Sequence, residues 1–178
     1  MIHAGRLALV DVEARHKLAF AASRAELGQM LGVRLPDSWP AFPEAFTPTR
    51  ADALAPPAGW GGYFFLDLNE DALIGNGGFH GPPADTGVVE IGYEVAPEFR
   101  QRGYAREAVK GLLDFAFADK SVRCVVAHTL AETNASSAVL ARAGFVHVAE
   151  LANPEVGRVW RWELERPTAP GASPGVRR

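Results

Sequence analysis

The residues best suited to chemistry form the stretch 100–105, Arg-Gln-Arg-Gly-Tyr-Ala, which precedes an apolar pattern with helical spacing. The first amides of a helix lack internal hydrogen-bond partners and lie at the positive end of the helix macrodipole. Gly103 lets a ligand approach the backbone, Ala105 keeps the next contact small, and Arg100 and Arg102 add positive charge. The stretch predicts a diphosphate site, although a solvated basic loop before an amphipathic helix would have the same composition.

Two strands are needed to position this loop. Residues 89–95 alternate between the two faces and are rich in β-formers, which predicts a strand that Pro97 ends. Residues 122–129 are apolar and β-branched, which predicts a buried strand after the helix. Strand, helix and strand in this order predict a parallel, right-handed βαβ unit.

The upstream residues predict two helices and an antiparallel meander. Ser23 and Glu26 have the spacing of a capping box, and Gly32 is suited to end the helix that they begin. The predicted elements are a first strand at 7–10, helices at 12–22 and 23–31, and strands at 63–66 and 72–79.

Prolines and aromatic residues dominate the segment 35–62. The prolines break regular structure, but the aromatic residues are too apolar for a disordered linker. We expect a short helix at 43–46 or 50–53 in an ordered segment, which either forms part of a recognition wall or covers the edge of the core.

Downstream, Asn134 or Thr133 is suited to cap a helix at 135–143 that ends at Gly144. Two strands at 145–150 and 158–164 follow, and the tail 166–178 is predicted to be disordered because proline, glycine, alanine, serine and arginine dominate it.

Composition excludes several classes of protein. The 178 residues carry a net charge of -3, which argues against a nucleic-acid binder with a broad basic surface. The single cysteine, Cys124, has no internal disulfide partner and no metal-ligand spacing around it. There is no apolar run long enough to span a membrane and no signal-peptide pattern, so we expect a cytoplasmic protein without a metal.

Two motifs together resemble the GNAT N-acetyltransferases. The stretch 95–105 resembles the acetyl-CoA motif of that superfamily, and 134–145 is similar to the second helix motif of its RimJ/RimL-like branch. The resemblance covers residues 63–164 and implies one domain at 1–165. The implied fold is α+β, a single mixed sheet of about seven strands with helices on both faces.

The resemblance also implies where acetyl-CoA binds. The coenzyme would lie between the diverging ends of two neighbouring strands, with its pantetheine on the backbone of Glu94–Ala96, which includes Val95. Asn134 would contact the pantetheine or its phosphate. The pyrophosphate would be held by the amides and side chains of Arg100, Gln101, Arg102, Gly103, Tyr104, Ala105 and Arg106.

The implied reaction is direct acetyl transfer to a primary amine of a small molecule or of a peptide or protein N-terminus. The backbone N–H of Val95 would stabilise the oxyanion, and Glu90 would be the general base. Otherwise Glu90 faces solvent or pairs with an arginine. His80 and His128 are secondary candidates for catalysis, since the sequence favours a structural role for each of them.

One departure from the family pattern concerns the proton for the leaving thiolate. Many relatives have a tyrosine where this chain has Leu140. Tyr93, water or unaided departure remain as alternatives. A non-enzymatic acyl-CoA-binding module on the same fold is the alternative function, and either a monomer or a homodimer is compatible with the sequence.

Overall fold

A computed structural model describes residues 1–48 and 57–167, which form one mixed sheet of eight strands and four α-helices. The sheet order is β1-β2-β3-β4-β5-β6-β8-β7. The strands are β1 (Ile2–Ala4), β2 (Leu7–Asp11), β3 (Gly62–Asp67), β4 (Ala72–Phe79), β5 (Val88–Val95), β6 (Cys124–Leu130), β7 (Val146–Asn153) and β8 (Gly157–Glu165). The helices are α1 (Ala14–Ala22), α2 (Arg24–Leu31), α3 (Tyr104–Ala118) and α4 (Ala135–Arg142).

The predicted meander and the parallel unit are both confirmed. Strands β2 to β5 pair in succession as antiparallel neighbours, and β5 pairs with β6 in parallel. The eighth strand is β1, which the sequence analysis did not predict and which pairs with β2. With three residues, β1 is too short for an alternating pattern to be recognised.

Local sequence signals set the ends of the helices. The Ser23 hydroxyl accepts the Glu26 amide at 3.0 Å, and Gly32 ends α2 with a φ of 69°. Asn134 caps α4, because its side chain accepts the Ser137 amide at 3.0 Å. These are the predicted caps, and both follow from orphan amides at a helix start.

Helices cover both faces of the sheet, as predicted. Phe65 is the cross-strand partner of Leu9, and the two residues face α3. Phe64 points to the opposite face, where its ring lies 5.4 Å from the edge-on ring of His16 in α1. Side chains alternate between the two faces along each strand, so β2 and β3 contribute apolar side chains to the packing on each face of the sheet. Among the described residues, none of the helices has the length and apolar character needed to cross a membrane.

The proline and aromatic segment packs mainly against the α1 face. Trp39 and Phe46 are buried with ring centroids 5.0 Å apart, and the Trp39 indole donates to Asn76 Oδ1 at 2.6 Å. A 3₁₀ turn at Pro43–Phe46 confirms one of the two predicted short helices. The alternative at 50–53 lies outside the described residues. Covering the core is therefore one role of the segment, and Phe42 is the exception because it is 60% exposed.

The chain stays attached to the domain beyond β8. The guanidinium of Arg166 donates to the carbonyl oxygens of Val122 and Phe117, each at 2.8 Å. The predicted disordered tail therefore does not begin at Arg166, and residues 168–178 lie outside the described chain.

A buried hydrogen bond anchors the start of α3 to β3. The hydroxyl of the buried Tyr104 donates to Asp67 Oδ2 at 2.8 Å, and the Asp67 carboxylate also accepts the amides of Asn69 and Glu70. Burial by itself raises the pKa of Asp67, but these hydrogen bonds outweigh it and hold the pKa below its usual value.

Replacing Tyr104 with phenylalanine should destabilise the fold by about 1.5–3 kcal/mol at neutral pH, because a buried carboxylate loses a hydrogen bond. The lowered pKa of Asp67 means that its contribution is present above the unfolded-state pKa and lost as the pH falls through the folded-state pKa. Urea unfolding of both proteins across the acidic range should show the difference shrinking at low pH. A constant difference would mean that the ionised Asp67 is not the partner that matters.

Candidate active site

The parallel pairing of β5 and β6 stops before either strand ends. The last paired residues are Ile91 and Ala127, whereas β5 continues to Val95 and β6 continues to Leu130. β6 remains paired with β8 as far as Leu130, so β6 stays in the sheet while β5 turns away with β4. A gap therefore opens between the two central strands, as the sequence analysis expected.

Two backbone amides of β5 face this gap. Ala96 donates to Ile74 O at 2.9 Å, which places Ala96 among the residues of this segment that bond to β4. Only alternate residues of an antiparallel strand bond to a given neighbour. The peptide groups of Val95 and Tyr93 therefore point toward β6 and into the gap. Val95 is the predicted oxyanion donor, and the Tyr93 amide, which the sequence analysis did not consider, faces the gap as well.

Arg100 reaches back into the same gap. Its Nε donates to the carbonyl oxygen of Val95 at 3.0 Å. A guanidinium has several N–H groups in a fixed plane, so this bond orients the group and leaves further donors. It also occupies a carbonyl that a bound pantetheine could otherwise use.

The loop before α3 has the backbone of an anion site. Gln101 and Gly103 both have positive φ angles, 61° and 86°. Gly103 is the N-cap of α3, and a Cβ there would meet no atom closer than Arg6 Nη2 at 3.7 Å. The space in front of the first helical amides is thus open, which is the arrangement in which a helix start binds anions.

Not every predicted side chain of the loop is available to a ligand. Arg102 forms an ion pair with Glu70, and its guanidinium also lies 5.2 Å from the centroid of the Tyr104 ring. Tyr104 is buried, so only its backbone amide can face a ligand. Arg106 is exposed on the first turn of α3 and makes no ion pair within the described chain. Of the three predicted arginines, Arg100 and Arg106 are therefore the ones whose charge can reach an anion.

Arg6 contacts the loop before α3 through the backbone carbonyl of Arg102. Its Nη2 donates to Arg102 O at 2.7 Å and to Glu107 Oε1 at 2.7 Å. These bonds connect the β1–β2 turn to the first turn of α3. The Arg102 carbonyl is therefore already occupied by the Arg6 guanidinium.

Helix α4 forms the other side of the gap. The Tyr93 hydroxyl donates to the Ser136 carbonyl at 3.3 Å, and burial raises the pKa of Tyr93 to about 12. The side-chain oxygen of Asn134 is used in the helix cap, so only its amide group remains for a ligand. Leu140 is fully buried and has no proton to give. Tyr93, which stays protonated at neutral pH, is thus the better of the two positions for a proton donor.

Three titratable side chains that the sequence analysis considered separately come together next to the gap. Glu90 Oε1 lies 2.9 Å from His128 Nδ1 and 3.3 Å from His80 Nδ1. Among the described residues, the ion-pair partners of Glu90 are thus histidines and not an arginine. In the described residues no group of three or more His, Cys, Asp or Glu side chains is placed to hold a metal ion. The cluster is suited to accept and pass on protons.

A cavity of about 450 Å³ adjoins this cluster. It lies on the face of β5 that carries Glu90, because Gly92 and Glu94 alternate onto the same face. Its other walls include Phe42 and Phe46. A larger and more open depression, about 830 Å³, lies beside α2, and none of its lining residues belongs to β5 or β6. The smaller cavity is therefore the one that could present an acceptor to the gap.

Cys124 does not provide an alternative nucleophile. Burial, with the nearby carboxylates of Glu163 and Glu165, raises the pKa of its thiol. The thiolate is the reactive form of cysteine, so this thiol stays largely protonated and unreactive at neutral pH.

Residues 6–146 match the family described as the acetyltransferase (GNAT) domain. The chain belongs to the GNAT acetyltransferase domain family. Among solved structures, the fold of this GNAT chain is similar to that of RimL, a ribosomal L7/L12 alpha-N-protein acetyltransferase in complex with coenzyme A. The TM-score is 0.67 with 16% identity, over 90% of this chain and 94% of that chain. A spermidine N-acetyltransferase from Vibrio cholerae, in complex with CoA and spermine, gives a TM-score of 0.64 with 18% identity, over 90% and 96% of the two chains.

Curated relatives match over shorter stretches. The N-acetyltransferase YjdG of Bacillus subtilis is 26% identical over 88 residues, which are 49% of this chain and 52% of that protein. The FsC-acetyl coenzyme A-N(2)-transacetylase of Aspergillus fumigatus is 35% identical over 63 residues, which are 35% of this chain and 27% of that protein. The matches thus span about half or less of these relatives.

Proposed function

We propose that this GNAT protein transfers the acetyl group of acetyl-CoA to a primary amine. The observation that carries the proposal is the gap between β5 and β6, which opens beside the glycine-capped start of α3. Family membership supports the same activity. Two of the similar solved structures are complexes with coenzyme A, which supports a coenzyme site of this kind.

The residues around the gap fit the coenzyme. The amides of residues 101–106 would hold the pyrophosphate, with added charge from Arg100 and Arg106. Gly103 keeps the approach to these amides open. Val95 and Asn134 remain the proposed contacts for the pantetheine. Ala96 does not, because its N–H donates to Ile74 O and its carbonyl accepts the Phe99 amide. When bound, acetyl-CoA supplies an acetyl thioester as the acyl donor.

Backbone dipoles in the gap would stabilise the negative charge that develops on the thioester oxygen. The N–H groups of Val95 and Tyr93 face the gap and are fixed by the pairing of β5 with β4. Donors that are already oriented cost no reorganisation during the reaction, which is why such groups contribute strongly to catalysis.

The proposed proton acceptor is Glu90, acting together with the histidines that contact it. An amine must lose a proton before it can attack, because only the neutral amine is nucleophilic. Glu90 is three residues from Tyr93, about 10 Å along the strand, and five residues from Val95, about 16 Å. The proton would therefore travel through His128, His80 or water, and the Tyr93 amide is the oxyanion donor nearer to this base.

The acceptor is a small-molecule amine or a peptide N-terminus. Both kinds of amine appear in the names of structural neighbours, one a ribosomal-protein N-terminal acetyltransferase and the other a spermidine acetyltransferase. A second candidate function is a module that binds acyl-CoA without catalysis. It is favoured by Leu140, a buried residue that has no proton to donate to the leaving thiolate.

A screen of primary amines with acetyl-CoA and a free-thiol readout tests the proposed function. Amine-dependent thiol release would support it. Calorimetric binding of acetyl-CoA with no release across the panel would favour the binding module. Absence of binding at millimolar acetyl-CoA would contradict both candidates.

Replacing Gly103 with tryptophan should abolish detectable acetyl-CoA binding, because the side chain would fill the space before the α3 amides. The matched control is Gly157→Trp, since Gly157 at the start of β8 has a φ of 87° and no atom from elsewhere in the chain within 4 Å of the position that a Cβ would take. Both variants should lose about 1–2 kcal/mol of stability from the left-handed backbone. Calorimetry should find binding retained in the control alone, and unchanged affinity in Gly103→Trp would mean that the pyrophosphate binds elsewhere.

Replacing Glu90 with glutamine should lower turnover most at acidic pH, where nearly all of the amine is protonated and needs a base. We expect a loss on the order of 10²-fold there, which is typical of removing a general base, and a smaller loss at alkaline pH. Glu150→Gln on β7 is the control and should follow the wild-type pH–rate profile. If Glu90→Gln shows the wild-type profile as well, Glu90 is not the base.

A further inference from the structure

One carboxylate in the cavity has no part in the proposed reaction. Glu94 lies on β5 and faces the cavity from its α1 side. Its Oε2 accepts the amide of Ala41 at 3.1 Å. Within the described chain this is the only hydrogen bond of the Glu94 carboxylate, so Oε1 is available to a ligand.

Two glycines on neighbouring strands line the cavity. Gly78 on β4 and Gly92 on β5 are cross-strand partners, and neither places a side chain over the sheet. A Cβ at Gly92 would lie 3.3 Å from His80 Nε2, so the His80 ring borders the space above Gly92. Gly92 is thus the point of β5 at which the cavity meets the Glu90 cluster.

Glu90 and Glu94 lie on either side of Gly92, on the same face of β5. Each is two residues from Gly92, about 7 Å along the strand. Glu90 is tied to two histidines, whereas Glu94 has an open oxygen and two aromatic rings near it, Phe42 and Phe46. An amine at Gly92 would therefore have a proton acceptor on one side and an unpaired carboxylate on the other.

The surroundings favour a cation next to Glu94. Burial raises the pKa of Glu94, and neither the Ala41 amide nor the charge of Arg100 compensates for it, while Glu44 adds a further negative charge nearby. A partly desolvated carboxylate interacts more strongly with a cation than an exposed one does. Exposed Phe42 adds a ring face that attracts cations.

We propose that Glu94 binds a second cationic group of the acceptor, so that the preferred substrate is a primary amine with another positive charge a few methylene groups away. The proposal rests on the proposed acetyltransferase function. The spacer between the two charges would pack against Phe42 and Phe46. Glu94 is then a residue that determines specificity, and Glu90 remains the base.

The test compares 1,4-diaminobutane with butylamine, which has the same chain length and one charge. In the wild-type protein the diamine should have the higher kcat/KM. In Glu94→Gln the KM for the diamine should rise by about 10-fold to 100-fold, which is the effect of losing a charge-assisted hydrogen bond, while the butylamine parameters stay unchanged. The glutamine carbonyl can still accept the Ala41 amide, so the wall around the cavity is preserved.

Two controls distinguish a failure of the Glu94 proposal from a failure of the proposed acetyltransferase function. Glu155→Gln removes an exposed charge in the β7–β8 turn, away from the cavity, and should leave the preference for the diamine intact. Calorimetric titration of 1,4-diaminobutane tests the subsite without turnover, and it should detect binding to the wild type that Glu94→Gln weakens. No thiol release with any amine would contradict the enzymatic function alone. Equal losses for both amines in Glu94→Gln, or no wild-type preference together with no diamine binding, would overturn the assignment of Glu94.

Discussion

The end of the parallel pairing between β5 and β6 is the constraint on which the rest of the site depends. Beyond Ile91 and Ala127 each central strand keeps only one partner, β4 for β5 and β8 for β6. Peptide groups that would otherwise bond across the sheet then face an open gap. A buried polar backbone group without a partner is costly, so these amides are stable only if water or a ligand binds them. The fold therefore creates a binding site through hydrogen bonds that the sheet leaves unmade.

The rest of the structure fixes two kinds of chemistry on either side of this gap. The Tyr104–Asp67 bond and the Arg6–Glu107 pair tie the first turn of α3, and with it the glycine-capped loop, to β3 and to the β1–β2 turn. On the other face of β5, Gly92 lies between Glu90 and Glu94 at the cavity proposed for the acceptor. In the proposed reaction the coenzyme and the amine would thus bind on the two sides of one strand. Because both proposed sites depend on β5, its pairing with β4 would determine how coenzyme and acceptor meet.

Local patterns allowed much of this arrangement to be predicted from the sequence. The alternation in 89–95, the cap at Asn134 and the glycine before α3 act over a few residues, and each was identified. The partners of the charged residues act over long separations. The Arg102–Glu70 pair and the Glu90–His128 contact join distant parts of the chain, and only sheet order and register bring them together. Glu94 was overlooked because an outward-facing glutamate on a strand usually meets solvent, whereas here the segment around Ala41 covers it.

Amide hydrogen exchange followed by NMR tests the central claim most directly, because it reports on the backbone groups that the gap leaves unpaired. Acetyl-CoA should slow the exchange of the Tyr93 and Val95 amides and of the amides in 101–106. Amides in the β7–β8 hairpin should exchange at the same rate with and without the coenzyme. Binding that is evident by calorimetry but leaves the exchange of Tyr93, Val95 and the α3 loop unchanged would contradict the account.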